Sequence, residues 1–214
     1  MELNGFYSGI FRVFEWITRL VGLNILWLLF TISGLILFGI FPATAAMFAV
    51  ARKWVLGDEN IRVFHFFWRS FKKEFWKSQL LGYLFLLISF ILFIDIKFFL
   101  DQGSLLSKFM LLVSINLTIV FLVVIVFLFP AFVHFDWKLF QYLNRSLLIA
   151  ILNPKLTILM ITGLFGSFFI YRYIPMLIPF FGASAVACYL TWIAQRSFRI
   201  VEEKRKKFQF GSVS

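Results

Sequence analysis

Charged residues are scarce in this sequence. Asp, Glu, Lys and Arg make up 14% of it, against about 25% in an average soluble domain. Apolar residues fill 62%, well above the usual range of about 45–50%. A chain of 214 residues has too little interior to hide that surplus from water. The imbalance excludes an ordinary soluble domain and leaves a bilayer as the natural solvent. Cysteine is nearly absent. Cys188 stands alone, which excludes an internal disulfide and any zinc spacing built on cysteine. Histidine is almost as rare. His65 and His134 are too few for a site that normally needs three or four ligands. Nucleophile-elbow, phosphate-loop and dinucleotide signatures are missing, as is an acidic pair at hydrolase spacing. An enzyme is therefore not expected, and no catalytic residue, metal or cofactor is assigned.

What the chain does have is long apolar runs. About 20 apolar residues in a helix cross roughly 30 Å of hydrocarbon. Five stretches qualify, near residues 20–41, 76–94, 105–129, 156–173 and 176–194. The expected fold is an all-α membrane protein of about five transmembrane helices, forming a single integral membrane domain over 1–214. Residues 20–41 lack a basic leader before them and a small-residue cleavage site after them, so the first span is expected to be retained. The last two spans should form a tight hairpin about Arg172 and Pro175.

The net charge of +11 would suggest nucleic acid in a soluble protein. Here the charges lie between apolar spans, and no basic domain stands free of them. Orientation in the membrane and attraction to anionic headgroups explain them better. With five crossings, one side collects 16 of the 21 lysines and arginines, in the 42–77 loop, the 130–155 loop and the tail. The other side has five, Arg12, Arg19, Lys97, Lys108 and Arg172. The positive-inside rule then places the N-terminus outside and the C-terminus in the cytoplasm.

Three connecting segments read as amphipathic helices lying at the interface, near 5–19, 60–75 and 137–152. The first sets Phe6, Ile10, Val13, Phe14, Ile17 and Val21 opposite Arg12, Glu15 and Arg19. Gly57 opens the turn into the second. There Phe64, Phe67, Trp68, Phe71 and Phe75 oppose Arg62, His65, Arg69, Lys72 and Lys73. The third has Asp136 as its N-cap and is stopped by Asn153 and Pro154. Pro42 and Pro130 are expected to sit at the cytoplasmic boundary and redirect the chain, because proline lacks an N–H and clashes with the preceding turn. Phe41-Pro42-Ala43 and Phe129-Pro130-Ala131 echo each other, as two parallel halves would.

Asp95 and Lys97 fall at the outer boundary, and no other Asp, Glu, Lys or Arg lies mid-span. That argues against ion-coupled transport, which needs such groups. Among milder polar residues, Asn24, Asn116 and Thr118 are candidates to line a solute path. Packing is the simpler role, and each amide in lipid needs a hydrogen-bond partner. Gly163, Gly166, Ala183 and Ala187 permit close helix approach.

Several segments resemble the YesL-like family of bacterial membrane proteins. They are Asn24-Ile25-Leu26-Trp27, Phe41-Pro42-Ala43-Thr44-Ala45-Ala46, the run from Phe66 through Trp68, Arg69 and Trp76 to Ser78, Pro130 to Asp136, and Asn153-Pro154. The resemblance covers nearly the whole chain. Family members have no known function and no catalytic residues to carry over. Their genes often lie beside carbohydrate ABC importers, which implies a plasma-membrane accessory to sugar uptake, partnering importer membrane subunits. The docking surface expected for that role is Arg62, Trp68, Arg69, Phe71, Lys72 and Lys73. The alternatives are a passive solute path or small transporter and, least favoured, a lipid-modifying enzyme. A wet cavity lined by Asn24, Asn116 and Thr118 would mark transport, and a closed bundle with an exposed cytoplasmic groove would mark docking.

Overall fold

The computed structural model describes residues 2–211, with side chains described for 9–203. Phe6 and the tail residues Lys204, Arg205, Lys206 and Lys207 fall outside the described side chains. The helices are α1 (Glu2–Ser33), α2 (Ile40–Val55), α3 (Val63–Leu100), α4 (Leu105–His134), α5 (Leu139–Leu152), α6 (Pro154–Tyr173), α7 (Ile178–Phe181) and α8 (Ser184–Gly211). A short 3-10 turn, Pro175–Leu177, precedes α7. Four helices are long and apolar enough to cross a membrane, or five if the pair Pro175–Phe181 and Ser184–Glu203, bent by 66°, counts as one span. The chain is thus an all-helical, multi-pass protein of the bilayer.

The largest departure from expectation is in the first span. The helix does not run from 20 to 41. It ends at Ser33, the chain reverses over residues 34–39, and α2 returns alongside α1. Nor is 5–19 a separate interfacial helix, because α1 is continuous from Glu2. Leu35 and Ile36 take φ of 53° and 63°, a left-handed conformation that is costly for a β-branched residue. Gln79 and Tyr83 of α3 hold this turn by donating to the Leu37 carbonyl at 2.9 and 3.3 Å.

α2 is the hub of the bundle, packed against α1, α3, α4 and α8. Ala43, Ala45, Ala46, Val50 and Ala51 are almost fully buried. Their small side chains let the neighbouring backbones approach. At about 1.5 Å per residue its 16 residues rise only about 24 Å. Protein rather than lipid surrounds it, so it carries no strong hydropathy signal.

Pro42 is the third residue of α2. It begins a helix where it was expected to end one, a position at which its missing N–H is harmless. Pro130 lies inside α4, which continues one further turn to His134 before the chain turns away. The two prolines occupy opposite ends of their helices, so the Phe-Pro-Ala echo is not a structural repeat. The expected helix at 60–75 is also not separate, since α3 is unbroken from Val63 to Leu100.

Gly57 behaves as read. It has φ of +91°, and the Gly57 and Asp58 N–H groups bond back to the Trp54 and Lys53 carbonyls, both at 3.0 Å. This double closure is the Schellman end of a helix. α5 matches the third interfacial segment, but Lys138 occupies the N-cap and Gln141 Oε1 accepts its N–H at 3.3 Å. Asp136 is drawn off instead to Lys77. Pro154 opens α6 at its first position.

The α1–α2 reversal brings Arg19 to Glu59 at 2.7 Å and Trp16 to Trp54, with ring centroids 5.9 Å apart. The first half of α1 therefore approaches the end of the bundle that carries the 53–59 loop.

Candidate functional site

Three features concentrate polar chemistry. The first is the basic, aromatic N-terminal half of α3. Helical spacing divides it into two faces. Phe67 and Phe71 turn inward, and Phe30 of α1 packs on both with centroids 5.1 Å away. Phe71 is therefore a core residue and is removed from the expected docking set. Arg62, Trp68, Arg69, Lys72 and Lys73 remain exposed. Lys72 Nζ lies 4.9 Å over the Trp68 ring, and Trp68 stacks on Phe71. Trp76, 81% exposed, belongs to this face and was not singled out as a docking residue. Its place one turn beyond Lys72 was the available signal.

The second feature is a partly open cavity of about 310 Å³ on the other side of α3, walled by α2, the end of α4, Phe135 and Asp136. Arg52 of α2 donates from Nη1 to the Val133 carbonyl at 3.0 Å. Lys77 and Asp136 pair across the rim, which holds the exposed Asp136 carboxyl below the usual carboxylate range. His134 lies at the end of α4, where its Nδ1 meets Gln195 at 3.1 Å and its Nε2 is 3.6 Å from Glu202. Its partners come from α8, and His65 is not among them. Among the described residues, no three His, Cys, Asp or Glu side chains gather as metal ligands would.

The third feature is Asn24. It is buried on α1 and saturates the break between α7 and α8. Its amide donates to the Ile178 and Pro179 carbonyls at 3.2 and 2.7 Å. Its Oδ1 accepts from the Ala183 and Ser184 N–H groups at 3.0 and 3.1 Å. Asn24 thus caps α8 and clamps three helices together. Asn116 behaves differently. It is exposed on α4 and donates only to Leu112 of its own helix at 2.8 Å. Thr118 bonds Ser114 of the same helix. The structure does not bring these three residues together around a path. Gly163 is a contact point as read, with the Tyr189 ring against it, whereas Gly166 has open space.

Residues 20–96 match the family described as "Protein of unknown function, DUF624". The chain is 36% identical over 202 residues to "Uncharacterized protein YesL" of Bacillus subtilis (strain 168), covering 94% of each. It is 39% identical over 187 residues to "Uncharacterized protein YteU" of the same organism, covering 87% of this chain and 84% of that one. It is 32% identical over 188 residues to "Uncharacterized protein YesV", also from that organism, covering 88% and 90%. No solved structure matches. With relatives this similar along nearly its whole length, the chain belongs to the YesL-like family of membrane proteins of unknown function.

Proposed function

We propose that this protein is a non-catalytic accessory of the bacterial plasma membrane. Its basic, aromatic α3 face would dock membrane subunits of a carbohydrate importer. The observation that supports this reading best is the division of α3. Phe67 and Phe71 anchor it to the bundle while Arg62, Trp68, Arg69, Lys72 and Trp76 stay exposed on the outside. Exposed aromatics and arginine are the residues that dominate interfaces. The importer as partner rests on the family resemblance alone. A solute path is less favoured, because Asn24 is consumed by backbone groups and Asn116 faces outward.

Lipid anchoring is the competing role for the same face, since each basic residue near an anionic leaflet contributes about 1 kcal/mol. Anchoring depends on total charge and tolerates Lys–Arg exchange. Docking depends on individual side chains. Arg69→Lys and Trp68→Leu, at equal expression, should each reduce co-purification of the importer's membrane subunits in mild detergent at least severalfold. Full association in both variants rules out the docking role.

The reading also includes both termini on the cytoplasmic side. With the α1–α2 hairpin, Arg12 and Arg19 join the basic end, and the split of lysines and arginines becomes 18 to three. In a Cys188→Ser background, Arg12→Cys and Asp58→Cys should both react with an impermeant maleimide only after cells are opened. Labelling of Arg12→Cys alone on intact cells contradicts the hairpin topology.

A further inference from the structure

The cavity between α2, α3 and α4 holds more positive charge than its neighbours answer. Four cations line it, Arg52, Lys53, Lys73 and Lys77, against two carboxylates, Glu74 and Asp136. Both carboxylates are already engaged. Lys73 lies 3.4 Å from Glu74, and Lys77 pairs with Asp136. Lys53 is answered by Asp58 at 2.9 Å. Arg52 is the remainder. Among the described residues no carboxylate pairs with it. One nitrogen bonds the Val133 carbonyl, and its Nε is buried with no partner. A guanidinium half withdrawn from water and lacking a counter-ion is costly. Its planar donors suit the oxygens of a phosphate group better than a single carbonyl.

The helix register gives the site its second wall. Phe66, Ser70, Lys73 and Lys77 recur on one side of α3 and face the cavity, at the three- and four-residue spacing that makes a stripe. This stripe is distinct from the outer face of Arg62, Arg69 and Lys72. At about 310 Å³, the volume lies at the small end of ligand cavities, large enough for a phosphate group with a short polar substituent.

We propose that this cavity is a binding site for a phosphate group, with Arg52 as its central ligand and Lys73 and Lys77 at its rim. The group belongs either to a soluble phosphate monoester or to the headgroup of an anionic lipid. The site is independent of the docking role, because its central ligand, Arg52, lies on α2 and its test requires no protein partner.

The experiment uses the full chain in detergent and in nanodiscs. Inorganic phosphate and glycerol phosphate are titrated at constant ionic strength while thermal unfolding is followed. In parallel, native mass spectrometry counts lipid retained from nanodiscs containing phosphatidylglycerol or only phosphatidylcholine. A saturable rise in unfolding temperature with phosphate assigns the soluble source. Retention of phosphatidylglycerol without a phosphate response assigns the lipid. In either case Arg52→Gln should abolish the effect, and Lys97→Gln, which removes one charge at the far end of α3, should leave it unchanged. If Arg52→Gln fails to fold, Arg52→Lys keeps the charge without the planar fork and should weaken binding about tenfold. The proposal is overturned if the wild type responds to neither probe, or if Arg52→Lys and Lys97→Gln bind like the wild type.

Discussion

Asn24→Leu should be among the most damaging single substitutions in this protein. The two side chains are close in size, so the change tests hydrogen bonding rather than volume. Leucine strands the Pro179 carbonyl and the N–H groups of Ala183 and Ser184, which bond Asn24 at 2.7, 3.0 and 3.1 Å. Each buried polar group left unpaired costs about 1–3 kcal/mol, and inside a bilayer no bulk water replaces the partner. A loss of about 3 kcal/mol or more is expected, equivalent to roughly 6–12 °C in unfolding temperature for a chain of this size. Proteolysis should rise near the α7–α8 corner. Asn116→Leu provides the contrast, since that amide is exposed and bonds only its own helix. It should be neutral or slightly stabilising in detergent. If Asn24→Leu unfolds within about 2 °C of the wild type, the clamp is unimportant; ~2 °C is no more than the shift from 1 kcal/mol.

Gly39→Val should be comparably severe, for a steric reason. A Cβ at Gly39 would stand 2.5 Å from the Thr31 carbonyl oxygen and 2.6 Å from that of Phe30. These are backbone atoms of the facing helix end, which no rotamer change can move. Gly34 and Gly39 also touch each other across the turn, where a Cβ on Gly34 would meet the Gly39 backbone at 2.5 Å. The hairpin already carries two left-handed residues, Leu35 and Ile36, at a cost of about 1–3 kcal/mol each. It has little tolerance for more strain. Opening it would separate α1 from α2 and remove the Arg19–Glu59 pair. With Arg19→Cys and Glu59→Cys in a Cys188→Ser background, a short bis-maleimide should link the two positions efficiently. Adding Gly39→Val should reduce that linkage at least fivefold, by analogy with a destabilisation of at least about 1 kcal/mol. Undiminished cross-linking would mean the turn adapts and the close glycine contact is not needed.

Much of the membrane architecture was legible in the residues. The apolar runs at 105–129 and 156–173 became α4 and α6 with ends shifted by a few residues. Gly57 and Pro154 did what their backbone chemistry requires. α5 emerged as a separate amphipathic helix because Asn153 and Pro154 bound it on one side. The family was legible too, in short motifs spread along the chain.

Other features were decided by packing. Hydropathy measures how well a segment tolerates lipid. It is blind to a helix like α2, whose Ala-rich surface is covered by other helices and which therefore needs no strong apolar signal. Missing α2 moved the first turn and put Pro42 near the start of a helix where the sequence suggested an end. Periodicity placed Phe67, Trp68 and Phe71 on one apolar face of α3. Tertiary packing buried Phe67 and Phe71 and left Trp68 40% exposed, although Phe30 lies against all three. Asn24 and Asn116 looked equivalent in sequence, since each is an amide inside an apolar run. The backbone break between α7 and α8, distant in the chain, satisfies one of them, and nothing comparable reaches the other among the described residues. Local sequence determined which segments enter the membrane, because that depends on each segment's own transfer energy. Partnership among buried polar groups depends on helices far apart in the chain, so tertiary structure alone decided it.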